Sequence, residues 1–344
     1  MRPTIVLQVL LAVLSPDGVP CSQSFAQTGQ TEKHEISDQA WQAAGAITGC
    51  EAHICSLAFG PGAILVSSDA QYVRVWDVVT KQEHPFFKPP GKHAFTITAI
   101  TFSSDDTWVS FRGLREYHLA FGEQWIKNGR PIDYGLGVRG ESLWPLAIAS
   151  DGKTYAIRSQ FGKQNDVDII RHEFGTRPAT RQRPVLCRGH QGEADCAAFS
   201  PDLKLLATGS QDKMVRLWDT ATGQQLAALT GHSDAVSVVE FSPNGAVIAT
   251  GGKDGRIKFW DVATRMEKAS MEGKTAVRCL SFSPNNKLLA TGVLRILNVE
   301  DAKLSAIIPD QGGTIFSVAF NRQGNLLASG GQDKVIRLWK EVPK

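Results

Sequence analysis

The chain has 344 residues, 42% of them apolar, which is enough to bury a large core and excludes a disordered chain. Its 37 Lys and Arg stand against 34 Asp and Glu, and the net charge of +3 is too small to point to nucleic acid or an anionic membrane as partner.

At the N-terminus, Arg2 supplies a positive charge ahead of the apolar run Ile5 to Leu14, which is interrupted by Gln8. Ser24 and Ala26 place small side chains where a signal peptidase reads. The pattern predicts a signal peptide over residues 1–26, a flexible linker over 27–41 and a folded unit over 42–344. The apolar run is too short to span a bilayer, so the expectation is a secreted or periplasmic protein with no transmembrane segment in its mature chain. Removal of 1–26 would leave Cys50, Cys55, Cys187, Cys196 and Cys279. That number is odd and the spacing is neither CxxC nor a zinc knuckle, so no metal site is expected.

From about residue 45 one unit recurs: an aromatic or apolar anchor, a turn of Pro, Gly or Asn, a short apolar run, a small-residue patch and a second aromatic. The anchors are Phe59, Phe102, Ile148, Phe199, Phe241, Phe282 and Phe320, spaced by 43, 46, 51, 42, 41 and 38 residues. Short β-branched and aromatic runs between turn residues predict strands. In the fifth unit, Ala235 to Phe241, Ala246 to Thr250, Arg256 to Trp260 and Met266 to Ser270 form a four-stranded meander. Two residues before the anchors stand Leu57, Ile100, Ala197, Val239, Leu280 and Val318, preceded by Ser56, Ala99, Cys196, Val238, Cys279 and Ser317. Apolar or small residues in both columns imply a strand covered on both faces, as the innermost strand of a blade is.

Gly189-His190 with Trp218-Asp219, and Gly231-His232 with Trp260-Asp261, resemble the paired signatures of the WD-repeat family. Trp76-Asp77, His93, and Asp333 with Trp339-Lys340 match in part, and the likeness covers roughly residues 45 to 344. The resemblance implies an all-β, seven-bladed β-propeller of four-stranded antiparallel blades. It also implies that His190, Thr208, Asp212 and Trp218, and likewise His232, Thr250, Asp254 and Trp260, form hydrogen-bonded tetrads inside their blades. The last unit ends just beyond Trp339, without an outermost strand. Ala44 to Gly49 is similar to Leu226 to Gly231, which ends an outer strand, so an N-terminal strand is expected to close the last blade.

The second and third units lack Trp-Asp, and the third carries Arg171, Arg177, Arg181, Arg183 and Arg188 in an insertion. The sixth is shortened, with Leu297 in place of Trp, which reads either as a loosely packed blade or as an internal deletion. Gly135 to Gly140 fits GxGxxG but opens no helix, so it reads as an inter-blade loop rather than a nucleotide site. No Walker loop, GxSxG or HExxH occurs, and Asp195 at an inner strand has no accompanying His or Glu column. The expectation is a non-catalytic, monomeric interaction scaffold without cofactor or metal. It would bind other proteins or peptides, not nucleic acid, through Gln211, Lys213, Lys253, Arg256, Gln332 and Lys334. The alternative is a propeller enzyme or small-ligand binder using the central channel.

Overall fold

A computed structural model describes residues 40–69, 73–83, 97–102, 109–113, 119–120, 133–134, 145–151, 154–159, 165–171, 183–273, 275–308 and 313–342. The expected signal peptide, His93, Gly135 to Gly140, Arg177 and Arg181 lie outside these residues. Among the described residues there is no helix.

Each anchor is the last residue of an innermost strand: Ser56–Phe59, Ile97–Phe102, Pro145–Ile148, Ala194–Phe199, Val236–Phe241, Leu280–Phe282 and Ile315–Phe320. The described side chains of these strands are mostly buried because inner strands pack against neighbouring blades, and Phe59, Phe199 and Phe320 are almost wholly so. From each anchor the chain meanders outward through antiparallel strands. Blade four runs Ala194–Phe199, Leu205–Ser210, Val215–Asp219 and Gln225–Leu229. Blade five runs Val236–Phe241, Val247–Gly252, Arg256–Asp261 and Glu267–Glu272. Blades three, six and seven also have four strands, blade one has three described strands, and blade two is described as two strand pairs.

Side chains on the inner strands stitch the blades together. Ser56 Oγ accepts from the Ile100 N–H at 3.2 Å and Ser317 Oγ from the Leu57 N–H at 3.0 Å. Ser281 Oγ accepts from the Phe320 N–H, Glu240 Oε1 from the Phe282 N–H, and Arg158 Nε donates to the Ala194 carbonyl at 3.0 Å. The blades therefore follow one another from three through seven to one and two. The junction of blades two and three falls outside the described residues.

The strand Ala40–Ile47 pairs antiparallel with Ile336–Val342 and forms the outer strand of blade seven. It starts two residues before the expected boundary at 42, because Trp41 is buried edge-on against Phe320, with ring centroids 5.7 Å apart. The sixth blade is tightly built. The Leu294 N–H closes a short turn onto the Thr291 carbonyl at 2.8 Å, and Leu297 is fully buried where blades four and five carry Trp.

Among the described residues, Cys50, Cys55, Cys187, Cys196 and Cys279 are free and buried. Cys196 lies opposite Gly209, where a Cβ would meet its sulfur at 2.6 Å, and Cys279 stands in the same relation to Gly292. The thiols fill the space that the glycines leave, as small apolar groups do.

Candidate functional site

Within blades four and five the polar residues form chains. In blade four, His190 Nδ1 bonds Asp212 at 2.9 Å, the Thr208 hydroxyl meets His190 Nε2 at 2.7 Å, and Trp218 Nε1 donates to Thr208 Oγ1 at 2.8 Å. Blade five repeats this with His232–Asp254 at 2.9 Å, His232–Thr250 at 2.8 Å and Trp260–Thr250 at 2.9 Å. Burial holds both imidazoles below their usual range, against the opposing pull of Asp212 and Asp254. Burial works to raise the Asp254 carboxyl, but the N–H groups of Arg256 and Ser233 and the His232 ring outweigh it and leave it low. A neutral histidine locked between a carboxylate and a hydroxyl inside a blade is out of reach of a substrate.

Blades one and seven retain the indole half of the arrangement, with Trp76 donating to Ser67 at 2.7 Å and Trp339 to Ser329 at 2.9 Å. In blade one Cys50 follows Gly49 as His190 follows Gly189. It is buried, and burial is the main cause of a thiol pKa pushed up to about 12, with Arg74, Asp69 and Glu83 also acting on it. A basic residue two places before each of these Trp residues is a further constant. Arg74 pairs with Glu83 at 3.0 Å, Arg216 with Asp212 at 3.3 Å, Lys258 with Glu267 at 2.7 Å, and Arg337 with Asp333.

The turns joining the second and third strands, together with the entries to the first strands, make one end of the blades, called here the upper face. Gln211, Lys213, Lys253, Gln332 and Lys334 are exposed on it. Arg256 faces outward instead and pairs with Glu272 on the outer strand. Gln332 and Lys334 also hold the loop that follows the closing strand: the Gln332 carbonyl accepts from His53 Nδ1 at 2.7 Å, and Lys334 Nζ donates to the Glu51 carbonyl at 3.0 Å.

A feature of the pairing register completes this face. The inner strand carries a bulge at its upper end in blades two, four, five and seven, skipping Thr98, Asp195, Ser237 and Phe316 in the pairing register. A bulge re-aims the extra residue. Asp195 is reached by Arg158 at 2.9 Å and Gln211 at 3.3 Å, and Arg158 also binds Glu193 at 3.0 Å. Burial raises the Asp195 carboxyl against the opposing effect of Gln211, Arg158 and Lys253. Phe316 is half-buried, edge-on to His53 at 6.3 Å. Arg278, at the equivalent place in blade six, is exposed. The signal for these residues was the column four places before each anchor. Among the described residues no cluster of His, Cys, Asp and Glu is arranged to hold a metal ion.

The WD domain, G-beta repeat (WD40) family matches residues 182–219, 223–261, 266–294 and 303–340. A stretch of 159 residues, 44% of the chain, is 40% identical to periodic tryptophan protein 2 of Saccharomyces cerevisiae and covers 17% of that protein. A stretch of 158 residues, 45% of the chain, is 26% identical to apoptotic protease-activating factor 1 of Danio rerio and covers 12% of it. Another of 161 residues, 46% of the chain, is 24% identical to the F-box-like/WD repeat-containing protein TBL1X of Homo sapiens and covers 23% of it. The chain thus spans less than a quarter of the length of each of these curated relatives. WD repeats generally serve as scaffolds for protein–protein interaction. With four repeats matched over residues 182–340, two complete blade tetrads and meandering antiparallel blades, the chain carries WD repeats and its blades are those of a WD-repeat β-propeller.

Proposed function

We propose that the chain is a non-catalytic scaffold that binds segments of other proteins on its upper face, around Gln211, Lys213, Lys253, Arg278 and Phe316. The observation that carries this reading is the repeated bulge. At the upper end of four inner strands the pairing register skips one residue beside exposed polar turns, and in blades four and seven that residue touches the loops of this face, Asp195 through Gln211 and Phe316 through His53. The two histidines that could have served as bases support a binding role over a catalytic one, since each is locked between Asp and Thr. The test is affinity capture from the native compartment with the wild-type chain and with Gln211→Ala and Lys253→Glu. Both variants should keep the wild-type melting temperature and lose the captured partner, and a partner captured equally by all three would contradict the reading.

We propose also that residues 1–26 direct export, on the strength of Arg2, the run from Ile5 to Leu14 and the small residues Ser24 and Ala26. N-terminal sequencing of the protein from outside the cytoplasm should begin at Gln27. Recovery from the cytoplasm alone, with Met1 intact, would refute it.

A further inference from the structure

The upper face carries both signs of charge in its sequence, but the structure disposes of them unequally. Its carboxylates are held by partners within the molecule. Glu51 and Asp69 lie against Arg74 at 3.2 and 3.7 Å, and Glu193 and Asp195 against Arg158 at 3.0 and 2.9 Å. Asp212 is bound by His190 and Arg216, Asp254 by His232, Asp166 by Arg188, Asp333 by Arg337 and Glu272 by Arg256. Asp234 has no cation against it among the described residues and accepts the Ala235 N–H at 2.7 Å.

The cations are not matched in the same way. Lys213, Lys253 and Arg278 are exposed, and among the described residues none has a carboxylate within ion-pair distance. Lys334 engages a neutral carbonyl, which leaves its charge uncompensated. These four groups come from blades four, five, six and seven in order, and the half-buried Phe316 ring with His53 beside it continues the arc toward blade one.

Resting on the binding reading above, we propose that the ligand of this face is an acidic peptide segment, with carboxylates meeting Lys213, Lys253, Arg278 and Lys334 and an apolar side chain set against Phe316. Charge complementarity favours this class, since rim charges select partners and steer their approach. A nucleic acid fits less well. The four cations are single groups on separate blades rather than a continuous track, and a net charge of +3 leaves little excess to attract a phosphate backbone.

The experiment is selection of a short random-peptide display library on the full chain, followed by affinity measurement of the selected peptides and of a poly-uridine oligonucleotide. Selected peptides should be enriched in Glu and Asp, should bind more weakly as sodium chloride is raised, and should lose roughly tenfold in affinity to Lys253→Glu and to Arg278→Glu. Neutral or basic selected peptides that are lost on Gln211→Ala or Phe316→Ala would overturn the acidic class and leave the face standing. Peptides indifferent to every one of these substitutions, or the failure to select any, would overturn both readings. Displacement of the peptides by poly-uridine at the same residues would assign the face to nucleic acid and overturn this one.

Discussion

Glu240 provides the sharpest physical test of the fold. It sits on the inner strand of blade five and is fully buried. Oε1 accepts the Phe282 N–H of blade six, while Oε2 has no partner among the described residues. Burial raises its carboxyl well above the ordinary value, against the opposing effect of the Phe282 N–H, and Glu240 in turn helps to raise the buried Cys279 thiol. The folded state therefore holds this proton more tightly than the unfolded chain. Stability is full below the unfolded carboxyl pKa and falls as pH rises toward the folded one. The slope reaches about 1.4 kcal/mol per pH unit wherever the unfolded carboxyl is ionised and the folded one still protonated. Glu240→Gln keeps the shape and the acceptor but cannot ionise. Denaturant unfolding of both chains at pH 5, 6 and 7 should show the variant gaining on the wild type as pH rises. Parallel pH profiles would refute the assignment of Glu240 as a buried neutral acid. Glu240→Ser should behave similarly, since Ser281 at the equivalent place in blade six makes the same bond to the Phe320 N–H.

Other outcomes follow from the same packing. Asp254→Ala removes the acceptor for His232 and for two backbone N–H groups and should cost about 2–3 kcal/mol, read as a lower melting temperature; an unchanged midpoint would count against the tetrad. The tetrad histidines are held neutral, so their contribution should fall as pH drops below the unfolded histidine pKa of about 6.5, and the aspartates, held ionised, should add a further loss below the unfolded carboxyl pKa of about 3.9. A wild-type chain whose acid sensitivity matches that of His190→Gln, His232→Gln would contradict this. Cys50→His should supply the missing ring to blade one and raise stability by about 1 kcal/mol, and a loss would show that the Ser67 and Asp69 side of the blade cannot receive it. Deleting residues 40–47 should destabilise the chain by more than about 3 kcal/mol, because Trp41 and Ile47 leave the core and Ile336–Val342 becomes an open edge. Equal tolerance of this deletion and of one within 27–38 would refute closure.

The architecture was legible because an inner strand sandwiched between blades must be apolar or small on both faces, and that requirement recurs at every anchor. The closing strand was legible from Ala44 to Gly49 but not at its start, since Gln42, Ala43 and Ala44 are exposed and only Trp41 marks the buried end. The sixth blade looked defective in sequence, yet its core closes around Leu294, Leu297 and Ile308. Of the upper-face residues, the polar turns were visible as turns. The pairing of Arg256 with Glu272 was not legible, because it depends on the register of the two outer strands. Asp195, Ser237 and Phe316 were not singled out as a set because a bulge is a property of pairing register, and the Arg158–Asp195 contact joins two blades across 37 positions.

The binding claim is tested most directly by capturing partners with two charge reversals on opposite ends of the blades, Lys253→Glu above and Lys204→Glu below. Lys204 is exposed in the turn joining the first two strands of blade four. Lys253→Glu should abolish capture, Lys204→Glu should capture as the wild type does, and both variants should keep the wild-type melting temperature. Capture lost with Lys204→Glu and retained with Lys253→Glu would contradict the claim.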